Sequence, residues 1–154
     1  MTLAEADAAG IALLFYDGHC LMCSAGVRWL MNRDRHQRFR FAALQDPEME
    51  RLLCDAPESV RDADSVILYT DRQFYIYSDA VIQALRVLGG LYRGMVIAYL
   101  VPRGLRNIIY RWIARHRTAW FGRSERCFFV PPEQRVQFLS DPRRDWSDSV
   151  SEEE

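Results

Sequence analysis

The sequence predicts an α/β fold: a mixed four-stranded sheet flanked by helices, with extra helices towards the C-terminus. Three observations predict it. An apolar run at residues 11–16 leads through a tight turn into a helical pattern over residues 20–34. An alternating run at residues 39–43 follows closely, so strand, helix and strand make a right-handed parallel βαβ unit. Two β-rich runs, residues 65–70 and 73–77, are then parted only by Asp71-Arg72 and lead into another helical pattern.

Taken in order, residues 1–10 read as a loose arm. Residues 11–16 are apolar without a break, the sign of a strand buried on both faces. Along residues 20–34, Cys23, Val27, Leu30 and Met31 share one face, while Ser24, Arg28 and Asn32 take the other. Gly26 inside this helix costs about 1 kcal/mol and points to close packing on the sheet. Asp46-Pro47 opens a short helix that ends near Cys54, with Asp46 as N-cap. Residues 55–64 read as polar loop. Ser78 is the expected N-cap of the next helix, which buries Val81, Ile82, Leu85 and Leu88 and stops at Gly89-Gly90. The order βαβ(α)ββα is that of a thioredoxin-like core.

After Pro102, Leu105, Ile108, Ile109, Trp112 and Ile113 recur at helical spacing, and Arg103, Arg106, Arg111 and Arg115 fill much of the rest. The apolar stripe is expected to dock on the core and the arginines to face outward. Residues 117–132 carry enough aromatic side chains to pack on the domain, and residues 135–139 suggest a short helix. Residues 141–154 hold six acids and two arginines and read as an acidic, mobile tail. One thioredoxin-like domain therefore spans residues 11–140, with its helical extension included.

Composition fits that domain. The chain has 154 residues, 49% hydrophobic and 27% charged, enough for one substantial core. A net charge of −1 gives no global reason to expect nucleic acid as partner. The charge is uneven, however. From Arg86 to Arg126 there are nine arginines and a single acid, Glu125, and every basic residue of the chain is Arg. The Arg-rich helix over residues 103–117 is a solvated outer face or a surface for an anionic partner: an acidic protein, glutathione carboxylates or the surface of an anionic membrane. No stretch is long and apolar enough for a membrane span. The first ten residues carry Glu5 and Asp7 and no basic residue, unlike a secretory signal. The expected location is the cytoplasm, where a C-x-x-C is catalytic or metal-binding more often than structural.

That motif is Cys20-Leu21-Met22-Cys23, at the start of the first long helix. Spacing i, i+3 brings both thiols to one side of a helical turn, within reach of a disulfide. Cys20, at the helix N-terminus, is the expected exposed nucleophile, with a pKa below that of free cysteine. Cys23, one turn in, is the expected resolving thiol. Asp17 is either a proton acceptor or orienter for the pair or a turn cap. Gly18 is expected to supply a positive φ. His19 either steadies a Cys20 thiolate or faces solvent. Two other readings exist: half a zinc site, or two cysteines packed as small hydrophobes. His19, His36, Cys54, His116 and Cys127 are the further ligand candidates, but none makes a second close pair. No metal or cofactor is expected. Cys54 and Cys127 read as isolated structural thiols.

Asp17-Gly18-His19-Cys20-Leu21-Met22-Cys23 after a first strand resembles the DCC (Asp-Cys-Cys) family of thiol-disulfide oxidoreductases, thioredoxin-like proteins named for the residues matched by Asp17, Cys20 and Cys23. Ser78-Asp79-Ala80, residues 102–115, and Trp120-Phe121-Gly122 followed by Cys127 are similar to later features of that family, so the resemblance covers about residues 13–131. It implies a redox-active Cys20–Cys23 pair working on protein or low-molecular-weight thiols and disulfides, with Cys127 near the active turn. One departure stands out. Thioredoxin-like proteins carry a cis-proline before the third core strand, facing the cysteines, and residues 62–66 contain no proline. The alternative to an enzyme is a binding module on the same scaffold, with a basic helical surface or a C-x-x-C metal site.

Overall fold

The structure, a computed structural model, describes residues 1–123 and 132–139. Cys127 and the expected acidic tail lie outside the described residues. Four strands form one sheet: β1 (Ala12–Tyr16), β2 (Phe39–Ala43), β3 (Ile67–Thr70) and β4 (Gln73–Ile76), in the order β2-β1-β3-β4. β1 and β2 run parallel, while β1 with β3 and β3 with β4 run antiparallel. This is the mixed sheet of a thioredoxin-like fold, and the two hydrophobic clusters on its faces explain why all five residues of β1 are buried.

On one face, Leu14 and Tyr16 of β1, with Phe39 and Phe41, pack against Val27, Leu30 and Met31 of α2 (Leu21–Arg33) and Ala80 and Ala84 of α5 (Tyr77–Leu88). On the other, Leu13, Phe15 and Ile67 pack against Ala6 of α1 (Leu3–Ala9), Met49 and Leu53 of α3 (Pro47–Leu53), and Val60 of α4 (Glu58–Arg61). α6 (Arg103–Phe121) lies against α2 and α5. The β3–β4 hairpin turns at Asp71 and Arg72, both at positive φ, the conformation of a two-residue primed turn.

Several expectations fail, each for a visible reason. The first ten residues are not a loose arm. Thr2 and Glu5 form a reciprocal capping box, Gly10 closes the helix in left-handed conformation, and Ala6 is fully buried. Residues 55–64 are not all loop, because Val60 finds a buried place and carries α4 with it. Ser24 is buried rather than outward. Gly26 packs on nothing; a Cβ there would meet open space. Ser78 does not cap α5. The Ser65 hydroxyl accepts the Tyr77 N–H instead, and the Ser78 hydroxyl bonds Asn107 of α6.

The largest reversal is in α6. Leu105, Ile108, Ile109 and Trp112 are exposed and Ile113 is half-buried, while Arg106 and Arg117 point inward. The cause is a set of acids on the core surface. Arg106 pairs with Asp79 at 2.8 Å, and Arg117 pairs with Asp64 at 2.9 Å. Paired, hydrogen-bonded guanidinium groups can be buried; the apolar stripe is then rotated outward.

Candidate active site: a dithiol at a helix start, faced by a buried arginine

The site begins with the turn after β1. The Asp17 carboxylate accepts the His19 backbone N–H at 3.0 Å and the Gln45 side-chain N–H at 2.8 Å through Oδ1. Gln45 Oε1 in turn accepts the Gly18 N–H at 3.0 Å. Gly18 does not have a positive φ. Its requirement is room: a Cβ there would stand 3.1 Å from Gln45 Oε1 and 3.3 Å from the Ala43 Cβ. The network ties Asp17 and Gln45 into the turn.

Cys20 is the N-cap of α2, and its Sγ accepts the Cys23 backbone N–H at 3.4 Å. Cys20 is not exposed, as the sequence suggests, but has 0% of its surface accessible. Its backbone forms an antiparallel bridge with Arg123, and Gly122 closes over Leu21. Cys23 is half-buried. Burial, then the contact and charge of Cys20, push the Cys23 thiol up to about 12. Cys54, by contrast, is exposed and its thiol bonds the Arg51 carbonyl, apart from the site.

Sequence reasoning missed Arg117. It comes from α6, 94 residues after Cys23, and its Nη1 lies 3.6 Å from Cys23 Sγ. Its Nη2 pairs with Asp64 and reaches Asp17 Oδ2 at 3.6 Å. Burial works against this cation, but Cys23, Cys20, Asp64 and Asp17 together hold its pKa above the ordinary value. The acid-poor run of arginines was the available signal, though nothing in it singles out this one.

Tyr110, also from α6, meets the stretch that lacks a proline. Its hydroxyl accepts the Val66 N–H at 3.3 Å, just ahead of β3. The backbone edge beside the cysteines is thus occupied by a side chain of the same chain. Cys23, Tyr110 and Arg117 border a cavity of about 260 Å³ whose other walls, including Leu30, Val66 and Ile113, are apolar. Among the described residues no three His, Cys, Asp or Glu side chains gather as a metal site.

A family model, described as DCC1-like thiol-disulfide oxidoreductase, matches residues 14–123, which contain every residue of this site. The chain belongs to that family. The uncharacterized protein YuxK of Bacillus subtilis is 32% identical over 127 residues, covering 82% of this chain and 93% of YuxK. A chloroplastic DCC family protein of Arabidopsis thaliana is 30% identical over 116 residues, 75% of this chain and 67% of the plant protein. No solved structure matches the chain significantly.

Proposed function

We propose that this DCC family chain is an enzyme, a thiol-disulfide oxidoreductase that cycles Cys20 and Cys23 between dithiol and disulfide. The observation that carries the reading is the pairing of two sulfur environments: Cys20 capping α2, and Cys23 one turn on, under a buried guanidinium. In the reducing direction, a Cys20 thiolate attacks one sulfur of a substrate disulfide. The substrate S–S bond breaks, a mixed disulfide forms, and the first substrate sulfur leaves as thiolate. Cys23 then loses its proton to that thiolate or to water and attacks Cys20 Sγ. The Cys20–Cys23 disulfide forms, the second substrate sulfur leaves, and two electrons have passed to the substrate. Arg117 stabilises the Cys23 thiolate that this step needs. Asp17 orients Arg117 and holds the turn, with Gly18 and His19 supporting through the backbone bonds described above.

Cys20 is fully buried, so access to its sulfur requires a local opening, and the bridged backbone at Arg123 is the segment we expect to move. The apolar cavity beside Cys23 suits an apolar side chain next to the substrate's reactive sulfur. Protein or small-molecule thiols are the partner class, and a reducing cytoplasm suits the free thiols of Cys20, Cys23 and Cys54 among the described residues.

Intact mass after treatment with oxidised and reduced thiol buffers tests the reading. We expect a reversible loss of two hydrogens mapped to Cys20 and Cys23, and a trapped mixed disulfide at Cys20 in Cys23→Ser. A pair that stays reduced under oxidising buffer, or turnover that survives Cys20→Ser, refutes it; bound zinc would point instead to a metal-holding binding module.

A further inference from the structure

We propose that the surface made by residues 90–100 and the outer side of α6 is a docking face for anionic lipid. The 3-10 segment Gly90–Leu100 has no buried residue although most of it is apolar. Leu91 is 94% exposed, Leu100 80% and Ile97 69%. The outward stripe of α6 follows in the chain, with Ile108 65% exposed. The rings of Trp112, His116 and Trp120 pack on one another there, with centroids 5.0–5.4 Å apart. An apolar surface of this extent on a folded domain marks an interaction site. Tryptophans and aliphatic side chains with arginines beside them are the composition of helices that lie in a membrane interface.

Charge selects the occupant. Arg103, Arg106 and Arg117 are tied to Asp79, Asp64 and Asp17, but Arg93, Arg111 and Arg115 make no ion pair among the described residues. Glu125 is the only acid in the sequence between Arg86 and Arg126, and Arg93, Arg111 and Arg115 are left to meet a negative layer. A second copy of the chain fits poorly, because a two-fold contact sets the same arginine-rich patch against itself. A protein partner would have to enclose side chains that project nearly free of their own domain; lipid chains accept them without a shaped pocket. No helix among the described residues is long and apolar enough to cross a membrane, so the contact is peripheral.

The test is co-sedimentation of the full chain with vesicles of equal parts phosphatidylglycerol and phosphatidylcholine, against pure phosphatidylcholine. We expect binding to the first that weakens with salt and little binding to the second. Replacing Arg93, Arg111 and Arg115 together by Gln should reduce affinity on the order of a hundredfold, taking about fivefold per arginine. Leu91→Gln with Leu100→Gln should reduce it at every salt concentration; both residues are exposed, and circular dichroism checks the fold. Absence of binding to the anionic vesicles, or binding that both variants leave unchanged, overturns the proposal. So does a stable dimer in sedimentation velocity that Leu91→Gln and Leu100→Gln dissolve, since a second copy would then be the occupant.

Discussion

At the residue scale, Cys23 carries a prediction with a definite sign. Its thiol ordinarily ionises near 9.0 and is held up to about 12 in the fold, first by burial and then by Cys20. The unfolded chain therefore releases this proton at lower pH than the native protein. The contribution to stability is level below about pH 9 and is lost as pH rises towards 12, with a slope of at most about 1.4 kcal/mol per unit. Tyr69, Tyr75 and Tyr110 are raised as well and add the same sign, so the comparison must be with Cys23→Ala. The difference in urea stability between the reduced protein and that variant should shift against the parent protein above pH 9. Parallel curves to pH 11 would show that the thiol is not held up. A second prediction concerns Asp17→Asn. The amide oxygen can still accept from His19 and Gln45, but the charge facing Arg117 is gone. Resolution of the mixed disulfide should slow about tenfold while stability falls by about 1 kcal/mol. A loss of several kcal/mol with a normal rate in the folded fraction would reduce Asp17 to a turn cap.

At the element scale, α6 shows what periodicity can and cannot convey. Its helical character, its length and its two faces were legible in the spacing of Leu105 to Ile113 and of the arginines. Which face turns inward was not, because that depends on Asp79, Asp64 and Asp17, acids remote in sequence that gather on the core surface. The turn and dithiol were legible for the opposite reason: the bonds from the His19 N–H to Asp17 and from the Cys23 N–H to Cys20 lie within the stretch itself, although Gln45 braces it from outside. Tyr110 belongs to the long-range class too. Tyr110→Phe leaves the Val66 N–H without its acceptor and should cost about 1 kcal/mol. It also frees a backbone donor at the edge next to Cys23, so reduction of a peptide disulfide should quicken. A rate that is unchanged or slower would show that substrate does not use this edge.

Across the whole molecule, the β2-β1-β3-β4 sheet follows from patterns that any reader of the chain can find, since each strand is a short run bounded by turn residues. The N-terminal helix was equally written there, as Thr2 with Glu5, as an alanine-rich run and as Gly10, but its one large aliphatic side chain, Leu3, gives no apolar stripe to read. Its attachment is specific: Tyr69 donates its hydroxyl to Asp7 at 2.7 Å, and the Arg72 N–H reaches the same carboxylate at 3.2 Å. Asp7→Ala should therefore lower unfolding stability by about 1–3 kcal/mol and let Tyr69 ionise at lower pH. If neither changes, the helix is an ornament on the sheet.

The contact between Arg117 and Cys23 makes α6 a gauge of sulfur oxidation state. In the reduced protein three groups hold the guanidinium: the Cys23 thiol, which accepts from it, and the carboxylates of Asp17 and Asp64. In the disulfide only the two carboxylates remain, and the C-terminal turns of the helix lose one anchor. Amide exchange over residues 113–121 should be slower in the reduced protein than in the oxidised one, and equal rates would show that the helix does not sense the change. Electron transfer on the inner side of this helix would then alter the firmness with which the outer side presents Trp112 and Trp120, so that oxidation is felt at the surface as a mechanical signal.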